Sequence, residues 1–351
     1  MKAWVQRSRG LAGLVYEDIP PAPEPGPGQV RVRIRAAALN PRDLQVLEGQ
    51  YGAMTRPQLV PGSDGAGEVI DVGEGVWQFM PGDRVALTFH SPQFSSQTEL
   101  SPRTLGRGGD THGVWCERCT VQEHELVPLP RHLSFEEGAT LPCAALTAWS
   151  ALASGPRLLP GERVLVQGSG GVSLFALKFA KLFGAKVIAL ASTAEKARLL
   201  RELGADHVID RDHGGAWHQV ARQLSDNRGV DRVVDVGGAA TVTQSVQSLR
   251  EGGVLAVVGL MGGPPVLGFD FFLRGVQVLP IHVGTREGFV QMNRAIVAHQ
   301  VRPVIARTYR FVDIPQALAD LSAPRRPGKL VIQVAEPEAS ESFSFPPPDS
   351  V

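Results

Sequence analysis

The run GSGGVS, Gly168 to Ser173, has the residue types and spacing that hold an anion through main chain alone. Gly168 permits a tight turn after a strand, and Gly170 lets backbone come close to a pyrophosphate. The N–H groups of Gly171 and Val172, at the start of a helix, point at the anion, with Ser169 seated between the glycines. Ser173 stands where a third glycine is usual. It is small enough for close helix packing and carries a hydroxyl that could donate.

The elements around this turn are those it needs. VLVQ before it reads as a strand, LFALKFAKLFGA after it as a helix ending in glycine, and KVIALA as a second strand, which together specify a dinucleotide site more closely than a Gly-rich turn alone. An NAD site places a carboxylate about twenty residues after the first glycine, where it accepts from the ribose 2′-OH. Here the strand runs out into Ala191, Ser192 and Thr193, and Lys196 follows to meet a 2′-phosphate, so NADP is the expected cofactor and NAD the alternative. The same residues have a second reading: Ser192 and Glu195 have capping-box spacing, and Lys196 suits a solvated helix face.

The chain has 351 residues, 43% of them hydrophobic and 20% charged, which suits two domains with substantial cores. Thirty-five basic residues balance thirty-five acidic ones, so no net field draws the protein to nucleic acid or an anionic membrane, and a small-molecule substrate is expected. MKAWVQRSRG lacks the apolar run of a secretory signal and no stretch is long enough to span a bilayer, so the expected location is cytoplasmic. Three cysteines cannot form a disulfide framework. Cys116 and Cys119 make a CxxC with no second pair to complete a metal site, which favours a structural role, and Cys143 reads as a small buried hydrophobe.

The expected fold is α/β, a doubly wound parallel sheet inserted in a β-rich domain. Val30–Ala36, Gly62–Val72 and Pro81–Leu87 read as strands of a small irregular barrel, and His90 to Gly113 as a long surface loop. From Gly161, apolar strands alternate with helical patterns, as in βαβ units. Strands are expected at Val164–Gln167, Lys186–Ala191, His207–Ile209, Arg232–Val236, Val254–Gly259 and Val276–Ile281. The divisions are 1–144 for the first part of the β-rich domain, 145–284 for the nucleotide-binding domain, 285–335 for a return to the first domain, and 336–351 for an acidic, Ser- and Pro-rich disordered tail.

The segments AAALNPRDL, VPGSDGAGEVIDVGEGV, ATLPCAALTAW, VLVQGSGGVSLFALKFAK, ELGADHVID and EGGVLAVVGL resemble the medium-chain dehydrogenase/reductase superfamily. The likeness is to its zinc-free quinone oxidoreductase and alcohol dehydrogenase-like branch, from Met1 to about Val334. It implies a GroES-like catalytic domain holding both chain ends, an inserted Rossmann domain, a cleft between them and a homodimer. Zinc-dependent relatives bind catalytic zinc through Cys, His and Cys. The corresponding positions look like Asn40, Ser63 and Cys143; only one ligand survives, and one cysteine cannot supply the three protein ligands of a catalytic zinc, so no metal is expected.

In that branch, the segment matching Asn40, Asp43 and Tyr51 faces the nicotinamide. Asn40 offers an amide donor, Tyr51 a phenol that can donate or protonate, and Asp43 a group that orients neighbours. Each has a plainer reading: Asn40 shapes a turn before Pro41, Asp43 caps a helix, and Tyr51 packs. The resemblance also implies cofactor contacts at Thr147, Gly237, Gly259, Leu260 and Val283, with Lys329 approaching the adenosine phosphate. Without a Lewis acid, hydrogen-bond donors must stabilise charge on the substrate oxygen, which favours quinones, enones and reactive carbonyls. The alternatives are a zinc-free alcohol dehydrogenase for hydrophobic alcohols and a non-catalytic NADPH-binding protein. The His90–Gly113 segment and Phe269–Arg274 are the expected walls of the substrate pocket.

Overall fold

The structure, a computed structural model, describes residues 1–50, 58–90, 106–211, 215–259, 263, 266–323 and 327–334. The first part is built from β1 (Lys2–Gln6), β2 (Leu14–Asp18), β3 (Gln29–Ala38), α1 (Pro41–Leu47), β4 (Asp64–Val72), β5 (Arg84–Leu87), β6 (Arg118–Gln122), β7 (Leu126–Pro128), α2 (Phe135–Ala139) and α3 (Leu146–Ala153). In β3 the alternation predicted from sequence is real: Val30, Val32 and Ile34 are fully buried while the intervening arginines are part-exposed. Between α2 and α3, Leu141–Ala145 forms a π-helical turn that carries Cys143.

The second part contains β8 (Arg163–Gln167), α4 (Gly171–Leu182), β9 (Lys186–Ala191), α5 (Ala194–Glu202), β10 (His207–Asp210), α6 (Trp217–Gln223), β11 (Val230–Asp235), α7 (Val242–Ser248), β12 (Leu249–Val257), α8 (Asp270–Leu273) and β13 (Gln277–Pro280). Its sheet runs β10-β9-β8-β11-β12-β13 with every pairing parallel. The order reverses between β8 and β11, and ligands bind at such a switch point, outside the carboxyl ends of the strands. The six strands expected from sequence are these six.

The chain then forms α9 (Arg286–Ala298), β14 (Ile305–Arg310), α10 (Ile314–Ser322) and β15 (Lys329–Gln333). β15 pairs antiparallel with β3, Val331 opposite Ala38, so β14 and β15 extend the first sheet to the order β14-β15-β3-β4-β5-β7, with β6 also on β3. α9 bridges: Phe289, Met292 and Ile296 enter a core shared with the parallel sheet, while Arg286 and Asn293 donate to the carbonyls of Leu126 and Pro128.

One expectation fails here. The His90–Gly113 segment is not wholly a surface loop: His90 is buried and so are Gly106 to Gly109. Arg107 is the reason. It pairs with Glu125 at 2.9 Å and donates to Thr88 O at 3.0 Å, so its burial is compensated and draws the chain inward. The tail 336–351 lies outside the described residues. No described helix is long and apolar enough to cross a membrane.

Candidate active site

The turn after β8 has the geometry an anion site requires. Gly168 sits at φ 75, which glycine adopts without strain, and a Cβ at Gly168 or Gly170 would meet nothing, so both face open space. Gly170 is the N-cap of α4, leaving the first N–H groups of that helix free for a ligand. Ser173 departs from expectation: its hydroxyl donates to Gln167 O at 2.6 Å and is spent on closing the turn. Gln167 in turn accepts from Val236 and Gly237 N–H and donates to Asp235, a buried network that fixes the second turn at Gly237. Gly259 packs against Val236, where a Cβ would meet the Val236 carbonyl oxygen at 2.0 Å.

At the end of β9, Lys196 Nζ donates to Ser192 Oγ at 3.1 Å, placing an ammonium and a hydroxyl together. The alternative reading of Ser192 and Glu195 as a capping box is not what forms. Thr193 is the N-cap and accepts from Lys196 N, which leaves Ser192 available to the lysine head. Thr147 is buried in α3, and Val283 is buried with a positive φ of 59 just beyond β13. Leu260 and Tyr51 lie outside the described residues.

The densest chemistry lies where β3, β4 and β15 meet. Asn40 is the N-cap of α1 with Pro41 at N1, and its backbone N–H donates to Asp43 Oδ2 at 2.8 Å. The turn-shaping and capping readings of Asn40 and Asp43 are therefore both found, yet both side chains are buried in a polar cluster. Asn40 Nδ2 donates to Ser63 Oγ at 3.2 Å, and Ser63 Oγ to Asp64 Oδ1 at 3.3 Å. Lys329 was expected at the adenosine phosphate. Its stem does pass the phosphate turn, where a Cβ on Gly171 would meet Lys329 Cδ at 2.6 Å. Its ammonium, however, enters the cluster and donates to Leu39 O at 2.7 Å, Asn40 Oδ1 at 2.6 Å and Asp64 Oδ2 at 3.4 Å.

The register of β15 on β3 causes this placement, since Leu39 N–H donates to Leu330 O and so sets Lys329 beside Asn40. Gly328 N–H donates to Ser169 O at 3.0 Å, tying the same strand to the phosphate turn. Crowding fixes the other side: Gly62 has φ 89, and a Cβ there would meet the Trp115 ring at 2.2 Å, so only glycine lets the chain enter β4 with Ser63 and Asp64 facing Asn40.

Burial governs the electrostatics. It pushes the Asp43 carboxyl up to about 6, against the pull of Arg42, whose Nη1 is 3.4 Å from Asp43 Oδ1. It also raises Asp64, with Lys329 and Asn40 pulling back. The Cys143 thiol is pushed up to about 12, so it is neutral. Burial likewise raises Cys116 and Cys119, both of which are free thiols. Across Phe89, which carries Arg42 over its ring at 5.0 Å, His90 Nε2 donates to His282 O at 3.2 Å. Burial, then His282, pulls His90 down to about 4.

These groups do not fit a catalytic zinc. The positions that the resemblance matches to zinc ligands hold an amide, a hydroxyl and a single cysteine, and one cysteine cannot supply the three protein ligands that a catalytic zinc takes. Among the described residues no three His, Cys, Asp or Glu side chains gather as a metal site. Arg42 and Lys329 already match the charges of Asp43 and Asp64, and a dication would lie against an ammonium. Sequence reasoning missed Asp64, Arg42, His90 and His282, and missed where the Lys329 head goes. Asp64 alone had a local signal, as the carboxylate adjoining Ser63.

Residues 26–131 match the family described as alcohol dehydrogenase GroES-like domain, and residues 171–298 the family described as zinc-binding dehydrogenase. The chain is similar to a zinc-type alcohol dehydrogenase-like protein of Schizosaccharomyces pombe, 35% identical over 308 residues, covering 85% of this chain and 89% of the relative. It is 30% identical over 307 residues to an acryloyl-coenzyme A reductase of Metallosphaera sedula, covering 84% and 89%. A solved structure of an NAD-dependent alcohol dehydrogenase superposes with a TM-score of 0.89 at 34% identity, covering 95% of this chain and 100% of that one.

Proposed function

Since the chain belongs to the medium-chain dehydrogenase/reductase superfamily and is an NAD(P)-dependent oxidoreductase, we propose that it reduces a quinone, an enone or another reactive carbonyl with NADPH and without zinc. It acts in the cytoplasm as a homodimer, and NADH is the weaker donor. The observation that carries this reading is the Lys329–Asn40–Asp64 cluster, held against the phosphate turn with an ammonium beside its one carboxylate.

A reduced dinucleotide held at the turn would supply the hydride, and the substrate oxygen that gains the charge takes its proton from solvent. The chain's own residues do the rest. The N–H groups at the start of α4 hold the pyrophosphate, and the Lys196 and Ser192 pair receives the 2′-phosphate. Thr147, Gly237, Gly259 and Val283 line the rest of the cofactor site. Asn40 donates to the developing oxyanion from its amide, with Asp43 holding the Asn40 backbone in place. Tyr51 contributes a phenol donor. An amide is a weaker electrophile than a metal ion, so acceptors that delocalise the incoming charge are favoured. The reductase named for acryloyl-coenzyme A, an α,β-unsaturated thioester, agrees with that preference.

A second reading, oxidation of hydrophobic alcohols, is favoured by the similarity to the NAD-dependent alcohol dehydrogenase. Metal-stripped protein assayed with NADPH and NADH against 1,2-naphthoquinone, an enone, an aldehyde and an alcohol separates the two. We expect NADPH oxidation with the quinone or enone, unaffected by chelators. Turnover of the alcohol alone, or dependence on added zinc, refutes the proposal. Tight NADPH binding with no turnover across the panel identifies a non-catalytic binding protein.

A further inference from the structure

We propose that Lys329 is the positioning residue of this site: its buried ammonium orients and polarises the Asn40 carboxamide, filling the electrostatic role that a metal ion has in zinc-dependent relatives. The inference rests on the reading of Asn40 as the oxyanion donor. A lysine ammonium has three protons, and the three acceptors on Lys329 are Leu39 O, Asn40 Oδ1 and Asp64 Oδ2, all within the cluster. With the residue only 4% exposed, the head is committed to Asn40 and Asp64, and only its stem lies along the phosphate turn.

The bond to Asn40 Oδ1, at 2.6 Å, is charge-assisted and settles which way the amide faces: oxygen to Lys329, nitrogen to Ser63. Cation binding at an amide oxygen draws electrons from its nitrogen and makes the N–H groups better donors. Nδ2 donates to Ser63 Oγ, and the Asn40 side chain also hydrogen-bonds the Asp64 carboxylate, so the proton offered to the substrate oxygen is one that the substrate draws from these two acceptors. Asp64 serves two ends. It balances the ammonium and closes the chain from Asn40 through Ser63. Lys329 moves no proton in this scheme; its charge is constant through the reaction.

The test uses the whole protein as K329M, K329R and the charge-balanced double variant D64N/K329M, with N40A as the reference. NADPH affinity is read by nucleotide fluorescence, turnover with 1,2-naphthoquinone or the enone of the panel, and the Asn40 side-chain amide by two-dimensional 1H–15N NMR of apo protein. Expected for K329M is an upfield shift of the Asn40 amide protons, NADPH affinity within about threefold of wild type, and kcat lower by about 10²-fold, the size of losing one oxyanion donor. K329R keeps the cation and holds kcat within tenfold. In the N40A background, K329M has no further effect on kcat, because the lysine acts through the amide.

If K329M does not fold, D64N/K329M removes both charges together and must show the same amide shift and the same loss of kcat. The inference is overturned if K329M weakens NADPH tenfold or more with kcat unchanged, which makes Lys329 a phosphate ligand. It is also overturned if the effects of K329M and N40A multiply, or if the amide signal does not move. The NMR arm reads polarisation without turnover, so a wild-type protein inactive on the whole panel would refute the proposed reaction and leave this inference tested on its own.

Discussion

Replacing Asp43 by Asn should change the pH dependence of folding in a direction that the buried cluster fixes. The Asp43 carboxyl is raised from 3.8 to about 6, mainly by burial. A group whose folded pKa lies above its unfolded value contributes stability that is fully present below the unfolded pKa and is lost as pH rises through the folded one. The shift of about 2 units corresponds to about 3 kcal/mol in all, of which about 2 kcal/mol falls between pH 4.5 and 7. His90 runs the other way. Its folded value of about 4 lies below the ordinary 6.5, so its contribution is present above 6.5 and lost as pH falls toward 4, again by about 3 kcal/mol. In wild type the two slopes oppose each other over this window. In D43N the opposing Asp43 slope is gone while those of Asp64 and the two histidines remain, and stability should rise more steeply with pH than in wild type. Urea unfolding of both proteins at half-unit steps from pH 4.5 to 7 measures the difference directly. The reasoning fails if wild type minus D43N is flat across that range, or grows with pH.

Two further outcomes follow from the cofactor end and the sheet edge. Lys196→Ala should weaken NADPH by about tenfold, roughly 1.4 kcal/mol, while NADH affinity stays unchanged; fluorescence titration with both nucleotides checks it, and equal losses would place the lysine elsewhere. The edge strand β13 lies near Val266, Phe269, Phe272 and Leu273, which are 76%, 69%, 67% and 67% exposed, a patch suited to a second copy paired across a two-fold axis. Light scattering should give twice the chain mass for wild type and the single-chain mass for Phe269→Glu with Phe272→Glu; a wild-type monomer removes the proposed dimer.

What was legible in the sequence was local. The phosphate turn is a short-range property of glycine freedom and helix onset, so Gly168, Gly170 and the strands either side could be placed from spacing alone. The β3 alternation was equally plain. The Lys329–Asn40 bond joins residues 289 positions apart, and its existence depends on the pairing register of β15 with β3, which nothing in SAPRRPGKL states. The His90–His282 contact spans 192 positions and likewise needs the packed molecule. The buried run Gly106–Gly109 misled because its composition is that of a surface loop, and its burial depends on the distant partners of Arg107, Glu125 and Thr88. The cap of α5 was misplaced by one residue because Ser192 and Thr193 are both good N-cap types.

A single short strand connects the two halves of the chemistry. Gly328, at φ 103 and with a Cβ that would meet Val304 O at 2.6 Å, cannot carry a side chain without moving. Its N–H holds the phosphate turn through Ser169, and the next residue sends its ammonium to Asn40. The distance between the pyrophosphate cradle and the amide donor is thus set by one or two residues of backbone in a sheet, which is stiffer than a loop could be. A hydride must travel between groups aligned to a fraction of an ångström. Under the proposed reaction, fastening the phosphate turn and Asn40 to the same glycine–lysine step would supply that alignment before either ligand arrives.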